Sequence, residues 1–240
     1  TDIEIDDHSV TDHVLFSGRL KDDLQRRDFT MNAMAMTKQM SFHDPFSGRE
    51  SIEKQEIITV GEPDERFGED ALRIIRAIRF MSVLNFSIES TTENSMIQNA
   101  HTVAHVSVER IVTELKKTYS GNGLNMAKEK LVQTRLIEYI PFFKYINQEN
   151  YLNAHADDFM DELIIQCIKD DSLIDRIKDL KLSNAEKNLI KNSRELQESV
   201  INGEPPRIIA YQYDEEMIDR LLTLNSDNDL IKDVSALKEA

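Results

Sequence analysis

The sequence predicts a mainly α fold in which a short α/β piece precedes an all-helical remainder. Three observations predict it. Runs of apolar and β-branched residues between turn formers are confined to the first sixty residues. Apolar residues recur at spacings of three and four from about Gly68 onward, and Gly121-Asn122-Gly123 and Gly203-Glu204-Pro205-Pro206 break that remainder into helical groups. Taken in order, Val14-Leu15-Phe16 and Met31 through Met36 read as strands, with helical character from Leu20 to Arg27 between them. Ile57-Ile58-Thr59-Val60 reads as a third strand, β-branched and closed by Gly61. Ser107 before Val108-Glu109 is a helix N-cap signal, and Ser183 with Glu186 three residues later is a capping box. Three strands without an evident partner sheet bury little, so more chain is expected before Thr1.

A chain of 240 residues can bury one large core or two smaller ones. It has no run of eighteen apolar residues, and its start is polar and acidic, so neither a membrane span nor a secretory signal is expected. Cys167 is the single cysteine and sits in an apolar run, where it reads as a small buried hydrophobe suited to a reducing cytoplasm. The formal net charge of -15 argues against a protein that coats nucleic acid, because phosphate contacts need clustered Lys and Arg. Any such contact is local: Arg26, Arg27, Arg66, Arg73, Arg76, Arg79, Arg110, Lys116 and Lys117 fall in the first half of the chain, while the second half carries many Asp and Glu.

The segment from Gly68 to Leu84 reads as one helix. At about 100° per residue, Ala71, Ile74, Ile75, Ile78 and Met81 form a core-facing stripe. Asp70, Arg73, Arg76 and Arg79 form a row on the other side, climbing roughly 13 Å, with Glu69 and Asp70 in the first turn where the helix dipole favours acids. Such a row is by default a solvated face with weak pairs. Leu72 and Phe80 share that side, however, so the face is expected to be covered, and covered arginines need anionic or hydrogen-bonding partners.

A carboxylate only accepts hydrogen bonds and a guanidinium only donates them. Side by side, Asp70 and Arg73 therefore demand a partner that presents a donor next to an acceptor. Cytosine does so with its N4 amino group and N3, and adenine with its N6 amino group and N1. Guanine and uracil reverse the polarity, leaving buried groups unpaired at about 1 to 3 kcal/mol each.

Four segments, in order, carry a family resemblance. The run from Leu24 to Met36, with Arg26-Arg27-Asp28-Phe29-Thr30, resembles the RRDFT-x-NAMA motif of class II CCA-adding tRNA nucleotidyltransferases. Asp44-Pro45-Phe46-Ser47-Gly48 resembles their flexible DPF element, Glu65 to Phe80 their ERF-x-EDALR template motif, and Ser107-Val108-Glu109-Arg110-Ile111 their SxERI helix start. The resemblance implies a partial α/β nucleotidyltransferase head over residues 1–62, an all-α neck over 63–122, and a body with a partial tail over 123–240. It implies that Arg27 meets the nucleotide phosphates, Asp28 the ribose, Asp70 and Arg73 the base, and that Arg76 and Arg79 are further nucleotide-binding arginines. Glu109 and Arg110 are expected to fix helix geometry near the neck, and the methionines at 31, 34 and 36 to be core.

The implied activity is template-independent addition of CCA to the 3′ end of tRNA from CTP and ATP, with Mg²⁺ as cofactor. The family's metal-binding carboxylates follow a glycine-rich phosphate loop that has no match here. Both are expected before Thr1, leaving this chain catalytically incomplete and without metal ligands of its own; the acids Asp2, Glu4, Asp6 and Asp7 do not fit that role. Ser47 and Ser51 replace a glycine and an aspartate often found in the DPF element. Alternatives are a bacterial poly(A) polymerase, a CC- or A-adding relative, and a non-catalytic RNA-binding module. A metal-dependent phosphohydrolase built on His43, Asp44, His101 and His105 lacks a further spaced His/Asp set.

Overall fold

Pro63 and the Glu69-Asp70-Ala71 step decide how the middle of the chain folds, as a computed structural model describing residues 20–38 and 40–231 shows. Proline fixes φ and lacks an N–H, so it starts helix α3 (Pro63–Glu69), the first α1 (Leu20–Gln25) and the second α2 (Gly48–Lys54) lying before it. Asp70 then breaks the expected single helix. Its backbone is extended (φ -153°, ψ 102°), and its carboxylate accepts the Leu72 N–H at 3.1 Å, capping α4 (Leu72–Leu84). The acids are thus not both in one first turn: Glu69 closes α3 and Asp70 stands at the joint. The stripe itself holds, since Ile74, Ile75, Ile78 and Met81 are buried, with Ala77 added and Ala71 only half-buried.

Strands are short among the described residues. β1 (Ala35–Met36) pairs antiparallel with β2 (Phe42–His43), and β3 (Glu56–Ile57) pairs parallel with β4 (Ser87–Ile88), so that α3 and α4 form the crossover between β3 and β4. The expected strand over Met31–Met36 is corrected: Thr30–Asn32 is a 3₁₀ turn, because the Asp28 carboxylate takes the Phe29 N–H at 2.8 Å and the Asn32 amide at 3.2 Å and pulls the chain round. Met31 is buried, Met34 half-buried, and Met36 is exposed on the hairpin, against the expectation that all three are core. The strand expected at Val14-Leu15-Phe16 and the acids Asp2, Glu4, Asp6 and Asp7 lie outside the described residues.

The DPF element is folded onto the Thr30 turn. Asp44 accepts the N–H groups of Gly48 (2.7 Å) and Arg49 (3.0 Å), and the Ser51 hydroxyl lies 2.7 Å from that of Thr30. A Cβ at Gly48 would collide with the Thr30 carbonyl and come within 2.8 Å of Met34 Cγ, so the close approach requires glycine.

Helix α4 packs against α6 (Val108–Thr118) and α7 (Leu124–Gln133), with α5 (Ser90–Asn99) lying against α3. The Gly121-Asn122-Gly123 turn works by proximity: Gly123 N–H donates to the Ser82 carbonyl at 2.8 Å, and a side chain on Gly121 would strike Ser82. Beyond it follow α8 (Gln148–Asn153), α9 (Phe159–Lys169), α10 (Asn184–Ile201), α11 (Pro206–Gln212) and α12 (Glu215–Asn228), with a 3₁₀ segment over Asp171–Leu180. The capping box expected at Ser183 and Glu186 is present, and the Gly203–Pro206 break separates α10 from α11. Cys167 is buried, and burial pushes its thiol up to about 12, so it packs as a hydrophobe. Among the described residues no helix is long and apolar enough to cross a membrane.

Inside the body, Lys128 on α7 donates to Glu162 on α9 (2.9 Å) and to the Ala154 carbonyl (2.8 Å), above the Tyr151 ring at 4.6 Å. Gln166 completes the acid's coordination at 2.8 Å. Burial lowers the Lys128 pKa and raises that of Glu162, so each charge depends on the other. Lys128→Met should therefore cost about 3–5 kcal/mol in urea denaturation, while Lys128→Met with Glu162→Leu should recover much of the loss. A surface acid makes a second test. The Lys116 ammonium holds Glu186 down to about 2 from an ordinary 4.5, so between these values the unfolded chain binds a proton that the folded chain does not. Stability present above pH 4.5 should fall as pH drops toward 2, and Glu186→Gln should flatten that slope in thermal melts across the window.

Candidate nucleotide-binding cleft

The end of α1 supplies the rim. Asp23 holds Arg26 (2.6 Å) and Arg27 (3.1 Å), and these side-chain bonds keep its carboxyl below the usual range. Arg27 also donates to the Asn32 carbonyl at 2.8 Å, which turns its guanidinium along the Thr30 turn. Asp28 points inward and is only 8% exposed. One of its oxygens takes the Phe29 N–H and the Asn32 amide; the other accepts Arg76 Nε at 2.7 Å and pairs with its terminal nitrogen at 2.5 Å. This pair ties the segment after α1 to the middle of α4. Phe29 continues the seam by meeting Phe80 edge-on at 5.7 Å, and Phe80 in turn carries Arg79 at 4.0 Å and Arg76 at 5.5 Å.

Arg73, one turn earlier on α4, is nearly enclosed. It donates to Glu69 (2.6 Å) and to the carbonyls of Arg66 (3.0 Å) and Arg26 (2.8 Å). Asp70 receives Arg110 of α6 at 2.7 Å on the oxygen that Leu72 does not use. Together these side chains bound a cleft of about 580 Å³, floored by Leu72 and Phe80. Its walls carry Arg26, Arg27, Arg73, Arg76 and Arg110; Asp28 and Asp70 in the wall and Asp23 and Glu69 beside it offset most of that charge, leaving a small positive excess that suits an anion. A second cleft of about 610 Å³ lies beyond the Asp70–Arg110 pair, between Phe67, Thr102, His105 and Ser107.

Of the residues singled out in the sequence, Arg27, Asp28, Asp70, Arg73 and Arg76 surround the cleft. Arg79 does not line it; its guanidinium lies 3.1 Å from buried Glu114, an ion-pair contact without hydrogen-bond geometry, and burial lowers its pKa. Two further residues contribute. Arg110, expected to fix helix geometry near the neck, reaches from the first turn of α6 to the α3–α4 joint and lines the cleft. Glu69 was assigned to a helix dipole and instead holds Arg66 and Arg73. Among the described residues no group of three or more His, Cys, Asp or Glu could hold a metal ion.

Two family models, both of polymerase type, match separate parts of this chain. One, described as "Poly A polymerase head domain", matches residues 1–58; the other, "Probable RNA and SrmB- binding site of polymerase A", matches residues 85–146. The chain is 40% identical over 228 residues to the CCA-adding enzyme of Staphylococcus epidermidis, covering 91% of this chain and 55% of that protein. It is 39% identical over 197 residues to that of Staphylococcus saprophyticus, covering 82% and 49%. In structure it is similar to the Bacillus stearothermophilus CCA-adding enzyme in complex with CTP, with a TM-score of 0.69 and 29% identity over 90% of this chain and 56% of that one. The Thermotoga maritima CCA-adding enzyme complexed with tRNA shares the fold, with a TM-score of 0.63 and 24% identity, over 88% of this chain and 59% of that one. The chain belongs to the CCA-adding enzyme family and spans about half the length of the curated relatives it matches.

The ion pair between Asp28 and Arg76 gives this site its own test. Asp28→Ala strips the acceptor from Arg76 and leaves the Phe29 N–H and the Asn32 amide unpaired. A loss of about 1–3 kcal/mol in urea denaturation is expected, tempered by the partial exposure of Arg76.

Proposed function

We propose that this chain selects CTP and ATP for addition to the 3′ end of tRNA, as part of a CCA-adding nucleotidyltransferase whose catalytic carboxylates and Mg²⁺ belong to sequence outside the 240 residues. The observation that carries the reading is the joint between α3 and α4, which sets the Asp70 carboxylate and the Arg73 guanidinium on the edge of one arginine-lined cleft. Arg73 spends three of five N–H donors on Glu69, Arg66 and Arg26, leaving donors for a ring nitrogen of the base. Asp70 uses two of roughly four acceptor positions, leaving room for an exocyclic amino group.

In this reading the triphosphate lies toward Arg27 at the rim, where charge-assisted bonds form without deep desolvation. Asp28 reaches a ribose hydroxyl by exchanging one of its bonds to Arg76, and Arg76 carries the freed charge toward a phosphate. Arg79 serves by fixing Phe80, the floor under the base. The helices over 85–146 and the body are proposed to meet the tRNA acceptor end in the cytoplasm, and the division into head (1–62), neck (63–122) and body with tail (123–240) follows that assignment.

Equilibrium binding of the four nucleoside triphosphates to the 240-residue chain tests this. CTP and ATP should bind about tenfold or more tighter than UTP and GTP, and exchanging the polarity of both residues, as Asp70→Arg with Arg73→Asp, should invert the order. Equal binding of all four would remove the template role. With labelled CTP, Mg²⁺ and tRNA lacking CCA, no label should be incorporated by this chain alone. A second reading, a poly(A) polymerase, is favoured by the names of the two matching family models; preference for ATP alone would support it.

A further inference from the structure

Asp70 sits on an extended joint rather than inside a helix turn, and its side chain is 34% exposed. A carboxylate so placed rotates freely unless both oxygens are held, and a freely rotating acceptor reads a base edge poorly. The Leu72 N–H holds one oxygen at 3.1 Å. The other is held at 2.7 Å by Arg110, which reaches it from the first turn of α6, forty residues further along the chain. Arg110 makes no other ion pair among the described residues, and its side chain is 52% exposed in the wall between the two clefts. α4 and α6 are joined independently by the less exposed Arg79–Glu114 pair, whereas Asp70 stands at the joint before α4.

We propose that Arg110 is a positioning residue for base specificity: it clamps Asp70 so that the free lone pairs face the cleft, and it does so without touching the base. The inference rests on the template reading above. Arg110 holds one Asp70 oxygen while the Leu72 N–H holds the other, so the carboxylate cannot spin about its bond and its remaining lone pairs stay turned to the cleft. The effect is specific to bases that offer an amino group at that edge. Loss of Arg110 lowers affinity for CTP and ATP and spares UTP and GTP, whereas loss of a simple phosphate attractor lowers all four alike.

The test is binding of CTP, ATP, UTP and GTP to the wild-type 240-residue chain and to Arg110→Gln, Arg110→Lys, Asp70→Asn and the Asp70→Asn/Arg110→Gln double variant, with thermal melts alongside. Arg110→Gln is expected to lower the CTP-to-UTP affinity ratio by about threefold to tenfold with a thermal midpoint close to wild type, and Arg110→Lys to recover part of that ratio. In the Asp70→Asn background, Arg110→Gln should change selectivity no further. An equal loss for all four nucleotides in Arg110→Gln overturns the proposal and leaves the template reading standing if Asp70→Asn alone erases selectivity. Selectivity that survives Asp70→Asn overturns the template reading and the proposal with it.

Discussion

A guanidinium removed from water must find acceptors, and the arginine face of α4 is organised by that need. Arg73 is satisfied by Glu69 and two backbone carbonyls and Arg76 by Asp28, while Arg79 has Glu114 as an ion-pair partner at 3.1 Å. These acceptors come from α3, from the turn after α1 and from α6. The same ion pairs that neutralise the helix face therefore assemble three separate stretches of chain around it, and the cleft is the space left between them. An acidic protein with a formal net charge of -15 thus keeps a local basic pocket. In the body, Arg220 is matched in the same way by Asp158 and Asp161.

Support for that pocket comes from the body behind α4. The Ser82 carbonyl receives Gly123, and the Ser82 hydroxyl donates to Thr118 at 2.7 Å, so the last turn of α4 is locked to the α6–α7 turn. Lys128, Glu162 and Gln166 then join α7 to α9 by bonds that fit one arrangement only. The proposed discrimination of bases by hydrogen-bond polarity needs this rigidity, because a shift of an ångström lets a wrong base find an alternative partner.

Much of this was legible in the sequence, for physical reasons that differ by element. The apolar stripe of α4, the capping box at Ser183 and the glycine breaks are local patterns, and each was found where the spacing put it. Asp70 defeated the periodicity, because a run of good helix formers on both sides hides an aspartate that caps the second helix instead of continuing the first. β4 is two residues long and has no signature of its own; it exists because β3 offers it an edge. The partners of Asp28, Asp70 and Arg79 lie 48, 40 and 35 residues away along the chain, a separation that no window of sequence reveals. The site was therefore legible as a set of residue types and illegible as a set of pairings.

The most direct measurement is a crystal structure of the chain with CTP in the cleft. The account predicts the N4 amino group of cytosine within hydrogen-bond distance of the Asp70 carboxylate, N3 facing the Arg73 guanidinium, the ring over Phe80 and the triphosphate toward Arg27. A nucleotide held by its phosphates alone, with its base turned away from Asp70 and Arg73, would contradict it.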